Sequence, residues 1–515
     1  MKVVDSNVPV GLVALKKCLD ISSVRVIKAG RFDAFEVDFS AWRLSLTAVN
    51  PCIWIKANEL ALQDAAGLVA GLQTAAWEQG WHNCKILVFV DGAVDELLKQ
   101  LPLGKSAQFI LLDDNEQESL KTAVFPQQIM FTLLRAKISL LQLSPYNSRQ
   151  PVTGGQFFGR QSEIDKVIQN RYASYLFIGI RRIGKTSLLK EIQRQLDLVD
   201  PPQKGQIRRI YIDCTVISSE DEFLQMLLLS LEQAGLLEST DHDYPAQSNQ
   251  AKISDYYKTL HGQPITFFLD EFDRLIPRMD GNWPLLQILQ TAVSSRKIRF
   301  VVAGYRQATQ ASTGTHIPFF NMFTPVRLMR LPLANIQQMV LNPMMALGIT
   351  VQDPEKFVQQ ISQETAGLPN YLQYYCKILL AYAERTGNTL LTTDDFQIVH
   401  KNSPFRHFVL NTFMSNTSLL ERAIVYAVID EGAVVAQGQF NEKKILEYLE
   451  KRKLSIPYDL VESACNDLEL AGVFNYVMAE YEFAIPLFQR LLRQMRDVSF
   501  LFERTREALQ TEERV

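Results

Sequence analysis

A phosphate-binding motif in the middle of the chain constrains the fold more than any other sequence feature. Residues 179–187 read Gly-Ile-Arg-Arg-Ile-Gly-Lys-Thr-Ser, which fills the pattern GxxxxGK[ST]. The motif requires a strand before it and a helix after it, because backbone N–H groups of the turn and the helix N-terminus must converge on phosphate oxygens. An apolar strand pattern at 175–178 and an amphipathic helical pattern from 187 provide this context. The sequence therefore predicts a nucleoside triphosphate site.

Each residue type in the motif has a physical role. Gly179 and Gly184 allow the backbone to turn sharply. Lys185 is expected to bring its ammonium group to the β and γ phosphates, and the Thr186 hydroxyl is expected to ligate Mg²⁺. Arg182 and the arginine before it fit either a nucleotide contact or an exposed loop position. The predicted nucleotide-binding residues of the loop are Gly179, Arg182, Ile183, Gly184, Lys185, Thr186 and Ser187.

An acidic motif follows a second predicted strand. The apolar run Ile-Thr-Phe-Phe-Leu ends at Asp270, and Glu271 comes directly after it. An acidic group at the carboxyl end of a strand beside a phosphate loop can hold the metal through water, and a neighbouring carboxylate can polarise the attacking water. We assign the metal to Asp270 and the water to Glu271, so that Lys185 and Glu271 are the predicted catalytic residues. Asp273 also fits a helix cap or an ion pair with Arg274.

Length and composition indicate a soluble multidomain protein. The chain has 515 residues, more than one hydrophobic core supports, so about three or four domains are expected. A formal net charge of −3 gives no reason to expect a polyanionic partner. The six cysteines form no CxxC spacing and the six histidines are scattered, so no metal cluster is predicted. The sequence shows neither a leader peptide nor a membrane-spanning apolar run, and we expect a cytoplasmic protein without a membrane partner.

The region before the phosphate loop divides into a domain and a linker. Residues 143–156 are predicted to be the linker, because Pro, Gly and polar residues there replace periodic apolar ones. In residues 1–142, strand patterns alternate with helical stretches near 60–79 and 126–142, which predicts an N-terminal α/β domain. The strand patterns lie at 25–27, 34–39, 52–55, 85–90 and 109–112.

Four short segments resemble motifs of the STAND class of AAA+-related P-loop ATPases, the signal-transduction ATPases with numerous domains. They are the entry segment 157–164, the phosphate loop with its continuation 181–188, the acidic box 270–273 and the Gly-Leu-Pro segment 367–373. The resemblance spans roughly residues 157–405 and extends more weakly to about residue 495. It implies an ATP site rather than a GTP site, together with a conformational switch driven by the nucleotide.

The same resemblance assigns further site residues. It implies nucleotide contacts by Phe158, Gly159 and Arg160, and it places Pro369 of a helical lid near the adenine. Arg306, after an apolar strand, occupies the sensor position and is the sensor candidate. Related AAA+ enzymes also use an arginine supplied by a neighbouring subunit, for which the candidates are Arg306, Arg327 and Arg330. Each of these arginines also fits a surface or ion-paired position, and Arg160 also fits a purely structural role.

The predicted fold class is a multidomain α/β protein with a P-loop core of the AAA+/STAND type. The core is expected to carry a helical lid and to lie between an N-terminal α/β domain and a C-terminal winged helix. The predicted domains are an N-terminal α/β sensor-like or effector-like domain at 1–142, a linker at 143–156, a P-loop ATPase core at 157–345, a helical lid at 346–410, a winged helix at 411–498 and a charged helical tail at 499–515.

A winged helix often binds DNA, but the charges of this one argue against that role. No lysine or arginine lies between Lys453 and Arg490. The acidic residues of the same stretch are Asp459, Glu462, Asp467, Glu469, Glu480 and Glu482. A surface of this sign repels phosphates, so nucleic acid is disfavoured as a partner. The resemblance implies instead that this module packs against the ATPase core and holds an inactive state.

The N-terminal domain leaves several functions open. The acidic residues of one predicted strand are Asp33, Glu36 and Asp38. A nuclease-like effector would also need Glu-x-Lys on the next strand to hold Mg²⁺, but Trp54 stands where the carboxylate should be. A sensor or protein-interaction domain is therefore favoured. Asp91, Asp113 and Asp114 fit either a receiver-like acidic pocket or the turns that end two strands.

Taken with the resemblance, these patterns predict an ATP-binding and slowly hydrolysing switch ATPase of a regulatory, signalling or defence type. ATP or ADP and Mg²⁺ are the expected cofactors, and a protein partner or self-association is the expected output of the switch. Two alternatives stay open. A DNA-dependent AAA+-type ATPase would show turnover that duplex DNA stimulates, with a steep salt dependence. A nucleotide-sensing scaffold would bind without hydrolysis, and the pair Asp270–Glu271 counts against it.

Overall fold

The computed structural model describes residues 24–29, 32–38, 49–55, 65–79, 81, 85–90, 109–201, 208–235, 264–276, 290–306, 308, 322–431 and 438–512. These residues form an N-terminal mixed sheet, a central parallel sheet, a helical region and a C-terminal module of helices with one hairpin. None of the helices in these ranges combines the length and the apolar character that a membrane span requires.

The N-terminal sheet begins as an antiparallel meander and continues as parallel pairs. Its strands, in spatial order, are β1 (Val24–Ala29), β2 (Phe32–Asp38), β3 (Val49–Ile55), β4 (Ile86–Val90) and β5 (Phe109–Leu112). The pairs β1–β2 and β2–β3 are antiparallel, whereas β3–β4 and β4–β5 are parallel. A parallel step needs a crossover, and helix α1 (Ala65–Glu78) lies between β3 and β4. The helix between β3 and β4 thus agrees with the alternation of strands and helices expected from the sequence.

Three helices connect this sheet to the rest of the chain: α2 (Asp114–Thr122), α3 (Pro126–Lys137) and α4 (Leu140–Leu143). Asp113, one candidate for an acidic pocket, instead caps α2, because its side chain accepts a hydrogen bond from the Glu116 amide at 2.8 Å. Asp91 lies outside the described residues. The same is true of Lys56, which follows β3 and is the lysine of the Glu-x-Lys pattern that a nuclease would need. The nuclease hypothesis therefore stays untested.

The central sheet is entirely parallel, and its strand order differs from its sequence order. The elements, in chain order, are α5 (Gln161–Gln169), β6 (Ser174–Ile178), α6 (Lys185–Val199), β7 (Arg209–Asp213), α7 (Glu220–Gln233), β8 (Ile265–Asp270), β9 (Ile298–Gly304) and β10 (Phe323–Arg327). The spatial order is β10-β6-β9-β8-β7. Strand β9 therefore separates β6, which precedes the phosphate loop, from β8, which ends in the acidic box. Parallel sheets of this kind bind ligands at the carboxyl ends of their strands.

A helical region follows the central sheet and includes residues 346–410, for which a lid is predicted. Its elements are α8 (Leu333–Ala346), β11 (Thr350–Val351), α9 (Pro354–Thr365), α10 (Pro369–Thr386), β12 (Leu390–Leu391), α11 (Phe396–Lys401) and α12 (Ser403–Met414). Aromatic side chains fill its centre: the rings of Tyr375 and Phe396 meet edge to face at 5.1 Å, and Phe357 packs on Phe396 at 4.7 Å.

The described residues of the C-terminal module form five helices and a hairpin: α13 (Leu419–Glu431), α14 (Glu442–Lys451), α15 (Tyr458–Leu470), β13 (Phe474–Val477), β14 (Glu480–Phe483), α16 (Pro486–Met495) and α17 (Val498–Glu512). Phe440 pairs with Tyr481 through a backbone bridge and so adds a short third strand to the hairpin. Helix α17 packs against α13. The charged tail expected after residue 498 is thus an integral helix of this module.

Candidate nucleotide site

The phosphate loop has the backbone that its sequence predicts. It leaves the buried strand β6 and ends where α6 begins at Lys185. Gly184 precedes the helix with a φ of +95°, a left-handed conformation in which a side chain would be strained. Arg182 also has a positive φ, of 69°. These left-handed residues let the loop turn tightly into the N-terminus of α6, the arrangement that anion-binding loops share.

The Lys185 side chain is buried within this loop. Its ammonium group donates hydrogen bonds to the carbonyl oxygens of Gly179 at 2.8 Å and Ile180 at 3.2 Å. The ring of Tyr305 lies 5.5 Å from the same nitrogen. Burial lowers the pKa of Lys185, and the negative charge of Glu271 and its neighbouring carboxylates partly opposes that change. The cation is therefore held beside the loop by neutral acceptors, which a phosphate oxygen can replace.

The acidic box lies across β9 from the phosphate loop. Asp270 is almost fully buried at the end of β8, and its Oδ2 atom accepts a hydrogen bond from the Tyr211 hydroxyl at 2.7 Å. Its Oδ1 atom accepts from the Glu271 amide at 3.0 Å. Glu271 itself has a φ of 53°, a strained conformation that is common at functional sites. Asp273 accepts a hydrogen bond from the amide of Ala308 at 2.9 Å and so fixes the chain that follows β9.

A cavity of about 430 Å³ opens between the phosphate loop, the helical region and the linker. Its volume lies within the range of small-molecule sites. The predicted site residues that line it are Phe158, Arg160, Arg182, Ile183, Gly184, Lys185, Thr186, Ser187, Glu271 and Pro369. The predicted residues outside its lining are Gly159, Gly179, Asp270 and Arg306. Of these four, Gly179 contacts the site indirectly through its hydrogen bond with Lys185.

The segment that joins the N-terminal sheet to the core, predicted as a linker, forms one wall of this cavity. Residues 147–152 line it, opposite Asn370 and Gln373 of α10. The Asn147 amide donates to Gln373 Oε1 at 2.5 Å, and the Asn370 side-chain amide donates to the Ser148 carbonyl at 2.8 Å. No signal in the sequence marked the linker as part of the site, whereas Asn370 follows the proline of a recognised motif.

The same segment continues across the phosphate-loop helix. The amide of Val152 donates to the Ser187 hydroxyl at 3.1 Å, and the amide of Gly154 donates to a Glu191 carboxylate oxygen at 2.6 Å. At its other end, Glu384 of α10 accepts a hydrogen bond from the Ser139 hydroxyl at 2.7 Å. Residues 139–154 therefore tie α10 to α6.

Arg160 lines the cavity, but its guanidinium group is already engaged. It donates to Glu163 at 3.2 Å and to the carbonyl of Met329, and its side chain is mostly buried. Gly159, just before it, has a φ of 74°. Burial lowers the pKa of Arg160, and the interaction with Glu163 counteracts the change. These contacts match the structural role that the sequence left open for this arginine.

The three arginines considered as sensor or finger residues all contact the C-terminal module. Arg306 forms a bidentate ion pair with Glu421 at 2.7 and 2.8 Å. Arg330 donates to the Asn475 side chain at 2.9 Å, and Arg327 lies 3.7 Å from Glu469. Arg306 is thus ion-paired, which is one of the two positions that its sequence allowed. Its partner Glu421 lies 115 residues further along the chain. Sequence alone offered no signal for that partner.

The module also contacts the phosphate loop itself. A Cβ atom added to Gly472, which follows α15, would lie 2.5 Å from Cδ1 of Ile180 in the loop. On the other side of the loop, the Arg182 guanidinium lies 4.8 Å from the centre of the Phe408 ring of α12. The loop is therefore enclosed between the C-terminal module and the helical region.

Comparisons with known proteins agree with this architecture. Residues 169–311 match a family described as AAA domain. Together with the parallel sheet order and the two motifs, the match defines the centre of the chain as an AAA-type P-loop ATPase domain. No curated protein sequence matches the chain.

Several solved structures are similar to the chain at low sequence identity. The Walker-type ATPase PABY2304 of Pyrococcus abyssi is 16% identical, with a TM-score of 0.49, over 68% of this chain and 99% of that one. The ORC2 protein of Aeropyrum pernix is 15% identical, with a TM-score of 0.47, over 69% and 95%. The Thermotoga maritima RuvB branch migration motor is 12% identical, with a TM-score of 0.37, over 67% and 98%.

Proposed function

We propose that this protein is a switch ATPase that binds ATP, hydrolyses it slowly and uses the nucleotide state to control the docking of its C-terminal module. The module is interpreted as a winged helix, since its order of helix, short strand, two helices and hairpin is that of the fold. The arrangement as a whole is interpreted as one of the STAND class. The contact between this module and the phosphate loop is the observation that carries the proposal.

The cavity suits a nucleotide. Backbone amides at the start of α6 and the Lys185 ammonium provide the donors that phosphate oxygens need. Asn370 lines the same cavity, and its buried Oδ1 atom has no hydrogen-bond partner among the described residues, so we assign it a donor such as the amino group of a base. In this proposal the cavity has a phosphate-binding end at the start of α6 and a base-binding end at Asn370.

The residues at the phosphate end divide the chemical work. Thr186 and Asp270 would hold Mg²⁺, which when bound neutralises charge on the phosphates. Lys185 would exchange its two carbonyl acceptors for phosphate oxygens and stabilise the negative charge that develops there. Glu271, at the cavity wall, would orient the attacking water and accept its proton. The Tyr211 hydroxyl keeps the Asp270 carboxylate in place.

Docking of the module restrains this machinery. Ile180 cannot move away from the core while Gly472 lies against it, and Arg306 is held by Glu421. The three arginines that face the module come from the carboxyl ends of β9 and β10, the side of the sheet where nucleotide binds. A module that moves away would release all of them together, so the docked form is assigned to the resting state of the switch.

Substitution of Gly472 tests the switch. Gly472→Ala places a methyl group against Ile180, whereas Gly387→Ala is a matched control, because Gly387 has the same φ of +71° and no atom within 4 Å of its added Cβ. If about 1 kcal/mol of overpacking falls on the docked form alone, the ratio of docked to undocked protein drops about fivefold. Steady-state ATP turnover should therefore rise severalfold in Gly472→Ala and stay at the wild-type rate in Gly387→Ala.

Two results would contradict the proposal. Equal turnover in the two folded variants would show that docking does not restrain the site. A large increase of the wild-type rate on addition of duplex DNA would favour the DNA-dependent alternative and would show that the acidic surface of α15 does not keep DNA away.

A further inference from the structure

A cluster of arginines lies at the edge of the central sheet opposite the nucleotide site. Arg209 is the first residue of β7 and Arg299 the second of β9, so both sit at the amino ends of their strands. Together with Arg171 and Arg208 they line a small cavity of about 30 Å³. The phosphate loop and the acidic box lie at the opposite edge of the same sheet, at the carboxyl ends of β6 and β8, so this cavity is separate from the site described above.

Arg299 is the centre of the cluster. Its side chain is 97% buried, as its exposed fraction is only 3%. Its Nε atom donates to the Thr266 hydroxyl at 2.8 Å, and its Nη1 atom donates to the carbonyls of Val167 at 3.0 Å and Asn170 at 2.9 Å. All of these acceptors are neutral. No described residue accepts a hydrogen bond from its Nη2 atom, and the side chain lines the cavity.

The surrounding charges do not balance this buried cation. The acidic residues beside the cluster, Asp197 and Asp200, both bind Arg209, at 2.7 and 3.2 Å. Burial lowers the pKa of Arg299 to about 10, and the like charges of Arg209 and Arg171 contribute to the decrease. A buried charge is costly unless an opposite charge or full hydrogen bonding offsets it. Asp200 also lines the cavity, but its ion pair is with Arg209, and no acid among the described residues forms an ion pair with Arg299.

We propose that this cavity binds the dianion of phosphate, either free or as a phosphomonoester on a larger molecule. Planar guanidinium groups match a tetrahedral oxyanion bidentately, and several of them converge here. The cavity of about 30 Å³ is too small for a larger molecule, so in this proposal only the oxyanion enters it and any attached group remains outside, in solvent. Because Arg299 extends from β9 and Arg209 from β7, the bound anion would stabilise the same sheet that carries the acidic box.

Phosphate binding by purified full-length protein tests this site. All proteins carry Lys185→Ala, which weakens phosphate binding at the loop and separates this test from the proposed function. Inorganic phosphate is titrated by calorimetry at constant ionic strength. Arg171→Gln should raise the Kd about threefold, the scale of an exposed ion pair, and Arg299→Lys about tenfold or more, because the planar fork is lost. Arg504→Gln, which removes an exposed charge from α17, is the matched control and should leave the Kd unchanged.

The outcomes are distinct. Equal affinity of the Arg171→Gln and Arg504→Gln proteins, or no binding in the Lys185→Ala background, would overturn the proposal. The exposed position of Arg171 keeps this test valid even if Arg299→Lys fails to fold. A second titration with glycerol 3-phosphate identifies the source of the ligand. Binding of both compounds supports a site for phosphomonoesters, and binding of inorganic phosphate alone supports a site for the free ion.

Discussion

The ion pair between Arg306 and Glu421 gives the sharpest test of how the module is held on the core. Glu421 is 3% exposed and accepts two hydrogen bonds from the guanidinium group, which also donates to the carbonyl of Asn416 at 2.8 Å. Burial alone would lower the pKa of Arg306, but the hydrogen bonds and charge of Glu421, with a contribution from Tyr305, raise it. The substitution Glu421→Gln keeps the shape of this side chain and removes its negative charge.

The expected magnitude follows from this geometry. A hydrogen bond to a charged group contributes about 1.5–3 kcal/mol, and a glutamine retains one neutral acceptor, so the loss is about 2 kcal/mol. The pair joins the core to the module, so this free energy stabilises the docked form specifically. A loss of about 2 kcal/mol lowers the ratio of docked to undocked protein about 30-fold, which is the upper limit for the increase in ATP turnover.

The assay is steady-state ATP turnover, together with the melting temperature of each variant. Glu431→Gln is the matched control, because Glu431 ends the same helix and binds Arg452 at 3.0 Å within the module. Turnover should rise at least severalfold in Glu421→Gln and stay near the wild-type rate in Glu431→Gln. If both folded variants turn over ATP at the same rate, the ion pair does not restrain the site and the reasoning fails.

Three further predictions concern the nucleotide site and the helical region. Lys185→Ala should abolish ATP binding measured by calorimetry, while Lys166→Ala, an exposed lysine of α5, should bind like the wild type. Glu271→Gln should bind ATP and retain it, so a filter assay should find ATP rather than ADP on the protein. Burial raises the pKa of Glu364, but hydrogen bonds from its partners, His400 at 2.6 Å among them, outweigh burial and lower it below its usual 4.5. The resulting stability is present above pH 4.5 and is lost as the pH falls through the lowered pKa, so the melting temperatures of wild type and Glu364→Gln should converge there. A difference between the two melting temperatures that stays constant down to pH 3.5 would contradict this prediction.

The sequence was sufficient to predict the phosphate loop, the acidic box and the strands beside them. These features depend on residues that are close in the sequence. The positive φ of residue 184 requires a glycine there, and Asp270 ends the apolar run that forms its own strand. Apolar runs also located the five strands of the N-terminal sheet and strands β6, β8 and β9 of the central sheet, whereas β7 and β10 were not predicted. The antiparallel or parallel pairing of the strands could not be predicted, because it depends on which strands meet in space.

Contacts between distant residues were the other limit of the sequence. Arg306 and Glu421 are individually ordinary charged residues, and only tertiary packing brings them together. The same is true of Arg299: no signal in the sequence indicated that this residue is buried beside the like charges of Arg209 and Arg171. Sequence patterns identify the chemistry of a site more readily than the residues that contact it, because the fold determines which distant residues come together.

The segment 139–154 affects how this protein can be cut into parts. Its composition suggests a spacer, and the family match begins only at residue 169. A fragment that starts at that match would lack the segment whose backbone amides donate hydrogen bonds to Gln373 and Ser187. Its nucleotide cavity would therefore have one wall missing. The smallest independently folding ATP-binding piece should therefore begin before Ser139, where Glu384 fixes the segment to α10. An apparent loss of nucleotide affinity in a shorter piece would then report a missing wall and not an inactive site.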